Sequence, residues 1–131
     1  MKKNELTKGS IYHINFSGNI GAEINNIHLG IIFPIPGLKN MMFCIPLTSP
    51  RVKHFKSNDD FKKKNGRNLN HFSWYYLAKT DSIAKLDQMR VISSSRIIGP
   101  YKINQENQVI TKIDYEKIKI KLIKYINKIL S

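Results

Sequence analysis

Residues 28–50 read HLGIIFPIPGLKNMMFCIPLTSP. Two near-continuous apolar runs, HLGIIFPI (28–35) and NMMFCIPL (40–47), flank a short break at PGLKN. Runs of that length, rich in bulky apolar residues and bounded by turn residues, predict strands buried on both faces. Pro36 and Gly37 fit the two central positions of a type II turn. Proline fixes φ at the first position, and glycine accepts the left-handed φ required at the second. The two runs are therefore expected to pair antiparallel as a central hairpin.

Working outward, SIYHINF (10–16) alternates apolar and polar residues and predicts a half-buried strand, followed by a loop at SGNIGAE (17–23). FSWYYLA (72–78) predicts an aromatic strand, and SIAKLDQMRVISSSRII (82–98) one more strand region ending in a polar turn. Trp74, Tyr75 and Tyr76 alternate across their strand, so they are not all expected to face inward; one or two belong to the core, and an outward one could stack on a base. The tail, 114–131, carries Tyr115, Ile118, Leu122, Tyr125, Ile126 and Ile129 on one helical stripe with lysines opposite. Asp114 is its expected N-cap. Ile120 falls off the stripe, which leaves open a wide buried face or a partner contact. Residues 51–71, RVKHFKSNDDFKKKNGRNLNH, are polar and basic, with a short helix expected to start at Ser57 or Asn58. Connections of that length are usually functional or mobile. The sum is one mainly β (α+β) domain over 1–131: a small barrel of about five strands with one closing helix.

The chain has 131 residues, 41% hydrophobic and 10% aromatic, enough for one folded core. Twenty-two Lys and Arg face nine Asp and Glu, a formal net charge of +13. A small domain so charged repels itself, and a polyanion is the usual compensation; nucleic acid is the favoured partner. No apolar run approaches the roughly 20 residues of a membrane span, and no apolar segment follows the first lysines as a secretion signal would need. The single cysteine, Cys44, lies in MMFCIPL and reads as a small buried hydrophobe. These features fit a reducing cytoplasm.

Metal-assisted hydrolysis needs convergent carboxylates, and here the only adjacent pair is Asp59-Asp60 inside the lysine-rich excursion. The four histidines (13, 28, 54, 71) lack zinc-ligand spacing, and neither a phosphate-binding glycine loop nor a GxSxG elbow is present. No metal or other cofactor is expected. Metal-free RNA cleavage asks for less, because the ribose 2′-hydroxyl is itself the nucleophile. The protein must move two protons and stabilise a phosphorane. IPLTSPRVKHF (45–55) delivers Thr48, Ser49, Arg51, Lys53 and His54 where a strand ends. A solvated basic turn is the plain alternative. Lys56, Lys62, Lys63, Lys64 and Arg67 adjoin that turn and could track a phosphate backbone, or form a solvated helix face. His28, opening a strand, is either a hydrogen-bonded structural histidine or a catalyst. Lys85 and Asp87, two apart, are expected to share a strand face, as a surface ion pair or as part of the site.

Taken in order, these segments resemble the MazF/PemK superfamily of endoribonuclease toxins. KGSIYHINFSGNIGAEINNIHLGIIF (8–33) is similar to that superfamily's opening, with Glu23 matching its Gly-x-Glu glutamate. His28 falls where protein-inhibited members carry an arginine before a proline, and Leu29 replaces the proline. IPLTSP resembles the strand that ends in the catalytic Thr/Ser. LDQMRVISSSRI resembles the later DQ-x-R strand, so Lys85 and Asp87 fall where Kid-like relatives carry a catalytic arginine and aspartate. Lysine keeps that arginine's charge but loses its fork. The fuller run IPLTSPRVKH is most similar to the type III branch, the ToxN/AbiQ/CptN group, whose antitoxin is an RNA.

The resemblance implies an SH3-like PemK/MazF-type barrel with a basic helical insertion (51–71) and a C-terminal helix. It implies a toxin of a toxin–antitoxin system, of the kind used in abortive infection and phage defence. Such a toxin cuts single-stranded RNA without metal, leaving a 2′,3′-cyclic phosphate and a 5′-hydroxyl. The expected roles are Thr48 and Ser49 on the scissile phosphate, Arg51 and Lys53 on the phosphorane, and Lys53, His28 or His54 as acid. Asp87 is a base carried over from Kid-like relatives. Lys53, His54, Lys56, Lys62, Lys63, Lys64, Arg67 and Lys85 would hold RNA, either substrate or repeat RNA antitoxin. Two alternatives stay open: a homodimeric toxin inhibited by a protein antitoxin, and an RNA-binding SH3-like barrel without turnover.

Overall fold

The computed structural model describes residues 8–17, 26–49 and 73–131. The loop expected at 17–23, apart from Ser17, and the excursion expected at 51–71 lie outside them, with Glu23, Arg51, Lys53, His54, Lys56, Lys62, Lys63, Lys64 and Arg67.

The central hairpin forms as its sequence dictates. Strand β2 (Ile27–Pro34) pairs antiparallel with β3 (Met41–Thr48), from Gly30 opposite Pro46 to Pro34 opposite Met42. Gly37 has φ of +83°, the left-handed value that a type II turn demands at its second central position, and the Leu38 amide donates to the Ile35 carbonyl at 3.2 Å. Strand β1 (Ser10–Asn15) lies on the other edge of β2. Gly30 is required by packing: a Cβ there would come within 2.6 Å of Ile14 Cδ1 and 2.7 Å of Cys44 Sγ.

The region expected as one strand over 82–98 is three. Strand β5 (Ser82–Lys85) pairs with β4 (Trp74–Leu77) and with the last two residues of β3. A 3-10 turn, Leu86–Gln88, leads into β6 (Arg90–Ser93), which lies along Met41–Cys44 of the same β3 edge. A second 3-10 turn, Ser94–Arg96, leads into β7 (Ile97–Pro100), which pairs with β1. The break at 93–96 has a local cause. Ser93 Oγ accepts from the Ser95 amide, a hydroxyl–backbone bond that competes with the ladder. Arg96 then fixes the turn by donating to the carbonyls of Asn15 and Ser17, each at 3.0 Å. A small hairpin, β8 (Lys102–Ile103) and β9 (Glu106–Asn107), follows; Asn104 and Gln105 both have positive φ, as a two-residue hairpin loop requires.

The result is a seven-stranded antiparallel sheet in the order β4-β5-β3-β2-β1-β7, with β6 on β3. β6 and β7 are consecutive in the chain yet sit beside β3 and β1, so the chain wraps the β1–β2–β3 meander. Among the described residues no ladder joins them, and the sheet is not closed into a barrel. Inside the curl lie Tyr12, Ile14, Phe16, Ile32, Met42, Cys44 and Ile92. The opposite sheet face carries Ile11, Ile31, Ile45, Leu47, Tyr75, Ala84 and Leu86, beneath the C-terminal helix.

That helix, α1 (Lys112–Leu130), begins earlier than Asp114, and Asp114 is not its cap. Thr111 is: its hydroxyl accepts from the Asp114 amide at 3.1 Å. Asp114 instead receives the Tyr75 phenol at 2.7 Å. The apolar stripe is covered for part of its length. Ile118 is buried, and Leu122 and Tyr125 pack on the sheet-face core, but Ile126 is 37% exposed and Ile129 59%. Ile120 is 54% exposed, so the buried face does not widen to include it. No described helix is long and apolar enough to cross a membrane.

Candidate functional site

Thr48 closes β3, half-buried, and Ser49 follows it, exposed. Thr48 pairs with Ile83, and Trp74 pairs with Lys85. Side chains two apart share a sheet face, as do antiparallel partners. Thr48, Ile83 and Lys85 therefore project from one face. On the other side of β3, the ladder with β2 ends at Gly30 opposite Pro46. His28 and Thr48 each lie two residues beyond that last pair, on the face that Gly30 and Pro46 share. Three residues singled out from separate segments, His28, Thr48 and Lys85, thus share one sheet face, His28 and Thr48 at its end and Lys85 level with Pro46, diagonal to Thr48.

Pro46 helps shape this end. The β6 ladder on β3 stops at Cys44, and the β5 ladder starts at Leu47. Proline brings no amide donor, and it sits in the gap where neither strand claims one. The chain therefore passes from β5 to β6 beside Pro46, with Lys85 level with Pro46 and the 3-10 turn leading on toward Cys44.

Lys85 and Asp87 do meet, with Nζ 3.7 Å from Oδ1. They do not share a strand face as expected, because Asp87 lies in the 3-10 turn after β5. The turn brings the carboxylate back to the lysine that ends the strand. Both side chains are about one-third exposed, so a water-borne substrate can reach them.

Two cations went unassigned in the sequence reading. Arg90 donates from Nε to the Gln88 carbonyl and from Nη2 to Gln88 Oε1, both at 3.1 Å. Its guanidinium lies 5.1 Å over the Phe16 ring, which is itself 6.5 Å from the His28 ring. The signal was present in LDQMR, where the glutamine stands two residues before the arginine it holds. Lys121 Nζ lies 4.2 Å from the centre of the Trp74 ring, placing a helix lysine against the β4 edge beside Lys85. That contact depends on the helix docking angle and leaves no local sequence signature.

The aromatic strand does not supply an outward stacking ring. Trp74, Tyr75 and Tyr76 are all buried. Tyr75 faces the helix, whereas Trp74 and Tyr76 pack with Ile83 on the other side. The Tyr76 phenol is satisfied by Asp81 at 2.6 Å. Cys44 is fully buried, and burial pushes its thiol up to about 12, with the nearby Arg90 charge acting in the opposite sense. A thiol so held is a packing residue and a poor nucleophile. Among the described residues, no three His, Cys, Asp or Glu side chains gather as metal ligands would.

No family model matches the chain, and no curated protein gives a significant match.

Proposed function

We propose that this protein is a metal-independent endoribonuclease toxin of MazF/PemK type, with an SH3-like arrangement of its open sheet, acting on single-stranded RNA. The observation that carries the reading is that Thr48, His28 and Lys85, from three different strands, share one sheet face, with Lys85 diagonal to Thr48. In this reading the 2′-oxygen attacks the adjacent phosphorus, and the P–O5′ bond breaks. Thr48 and Ser49 donate to the phosphate oxygens, with Arg51 and Lys53 offsetting the charge added in the phosphorane. Asp87 takes the 2′-hydroxyl proton, and Lys53, His28 or His54 returns one to the departing 5′-oxygen. Lys85, Arg90 and Lys121 extend the positive surface along which the strand lies. The formal charge of +13 supports a polyanionic partner.

By the run IPLTSPRVKH, the inhibitor is a repeat RNA held in the same basic groove. That RNA is then both a product and an inhibitor, and tandem short repeats beside the gene go with it; a small acidic reading frame there goes instead with a protein antitoxin. The test is end-mapping of RNA incubated with the purified protein in EDTA. Fragments ending in 2′,3′-cyclic phosphate and beginning with 5′-hydroxyl are the expected result. RNA that is retarded on a gel yet never shortened overturns cleavage and leaves a binding module.

A further inference from the structure

On the sheet face opposite Thr48, helix α1 and the β2–β3 hairpin leave a wedge between them. Phe33, Phe43 and Ile45 form its floor, and Tyr115, Ile118 and Leu122 its roof. Its volume is about 240 Å³, below the roughly 300–1,000 Å³ of drug-sized sites, and it opens to solvent. Lys8 and Lys119, both exposed, stand among its lining residues. Lys8 Nζ lies 4.6 Å from the centre of the Tyr115 ring.

We propose that this wedge binds a small anionic amphiphile, an unbranched carboxylate of medium chain length. The walls are almost wholly carbon, so an alkyl chain loses no hydrogen bonds on entering. A nucleobase would leave its edge donors and acceptors without partners there. Two lysines among the lining of an apolar wedge favour a negative head group, and a carboxylate is the complementary charge. A second copy of this chain is opposed by the same charge that makes the protein so basic.

The experiment is a titration of the full chain with octanoate, followed by the backbone amide signals of Phe33, Phe43, Tyr115 and Leu122. Saturable shifts at these residues are expected. Hexanoate, two methylenes shorter, binds about 15-fold more weakly, and octylammonium at least about tenfold more weakly. Lys8→Glu combined with Lys119→Glu, two surface changes, reverses the preference between octanoate and octylammonium. No saturable shift, shifts confined elsewhere, equal binding of the two head groups, or tighter binding of adenosine monophosphate overturns the proposal. So does the same shift pattern appearing on raising protein concentration alone, which assigns the wedge to a second copy. RNA cleavage is not part of the readout, so either reading can fail while the other stands.

Discussion

The phenol of Tyr75 donates to Oδ1 of Asp114 at 2.7 Å, joining edge strand β4 to the first turn of α1. Burial, and then the hydrogen bond and charge of Asp114, push the Tyr75 phenol above its ordinary range. The folded protein thus keeps a proton that the unfolded chain releases above about pH 10. This contribution is complete below pH 10 and is lost as pH rises through the folded-state value. Tyr75→Phe is expected to cost about 1–2 kcal/mol at pH 7 and to flatten part of the decline above pH ~10. Urea unfolding from pH 7 to 11 measures both; parallel curves for the two proteins would count against the coupling.

Gly30→Ala places a methyl between Ile14 and Cys44, at separations no ordinary carbon contact reaches. A loss of about 1–3 kcal/mol is expected from overpacking. Adding Cys44→Ala removes one of the two obstructions, so the double variant should lose less than the single losses together. Strict additivity in denaturant midpoints would show that the sheet relaxes some other way.

Thr48→Ala and Ser49→Ala are expected to slow RNA cleavage by about 10²-fold or more while RNA affinity shifts only slightly. Single-turnover rates in EDTA, set beside gel-shift affinities, make the comparison. Unchanged turnover in both variants removes the site assignment.

The Lys85–Asp87 pair separates structure from chemistry. As a partly exposed ion pair its loss should cost less than about 1 kcal/mol. Asp87→Asn should therefore leave unfolding nearly unchanged while lowering cleavage. A variant with both properties intact assigns the pair to the surface alone.

Cys44 should resist thiol reagents in the native protein at pH 8, because both access and ionisation are withheld. Labelling should appear only with unfolding, and its rate then reports the opening of the core inside the curl. Rapid native labelling is the contrary result.

Much of the hairpin was readable from the sequence, because Pro36-Gly37 and two apolar runs act locally. The start of α1 was not. Thr111 and Asp114 are both capping residues three apart, and Tyr75, nearly forty positions away, decides between them by claiming the aspartate. The stretch 82–98 looked like one strand because its apolar residues continue across two 3-10 turns. Trp74, Tyr75 and Tyr76 were expected to leave a ring outward; instead both faces of β4 are covered, a matter of long-range packing. Thr48 was legible as a hydroxyl at a strand end. That His28 and Lys85 share its sheet face depends on registers between distant segments, which no local pattern encodes.

The gap at Pro46 makes the β4–β5 hairpin an appendage, stitched to β3 by two residue pairs and otherwise clamped under α1 through Tyr75, Ala84 and Leu86. Its grip on the remainder of the molecule is therefore mainly greasy rather than laddered. Loosening the helix should slacken the ground on which Lys85 and Asp87 stand while β1, β2 and β3 stay knitted, so a lesion on the helix would be felt at the far rim.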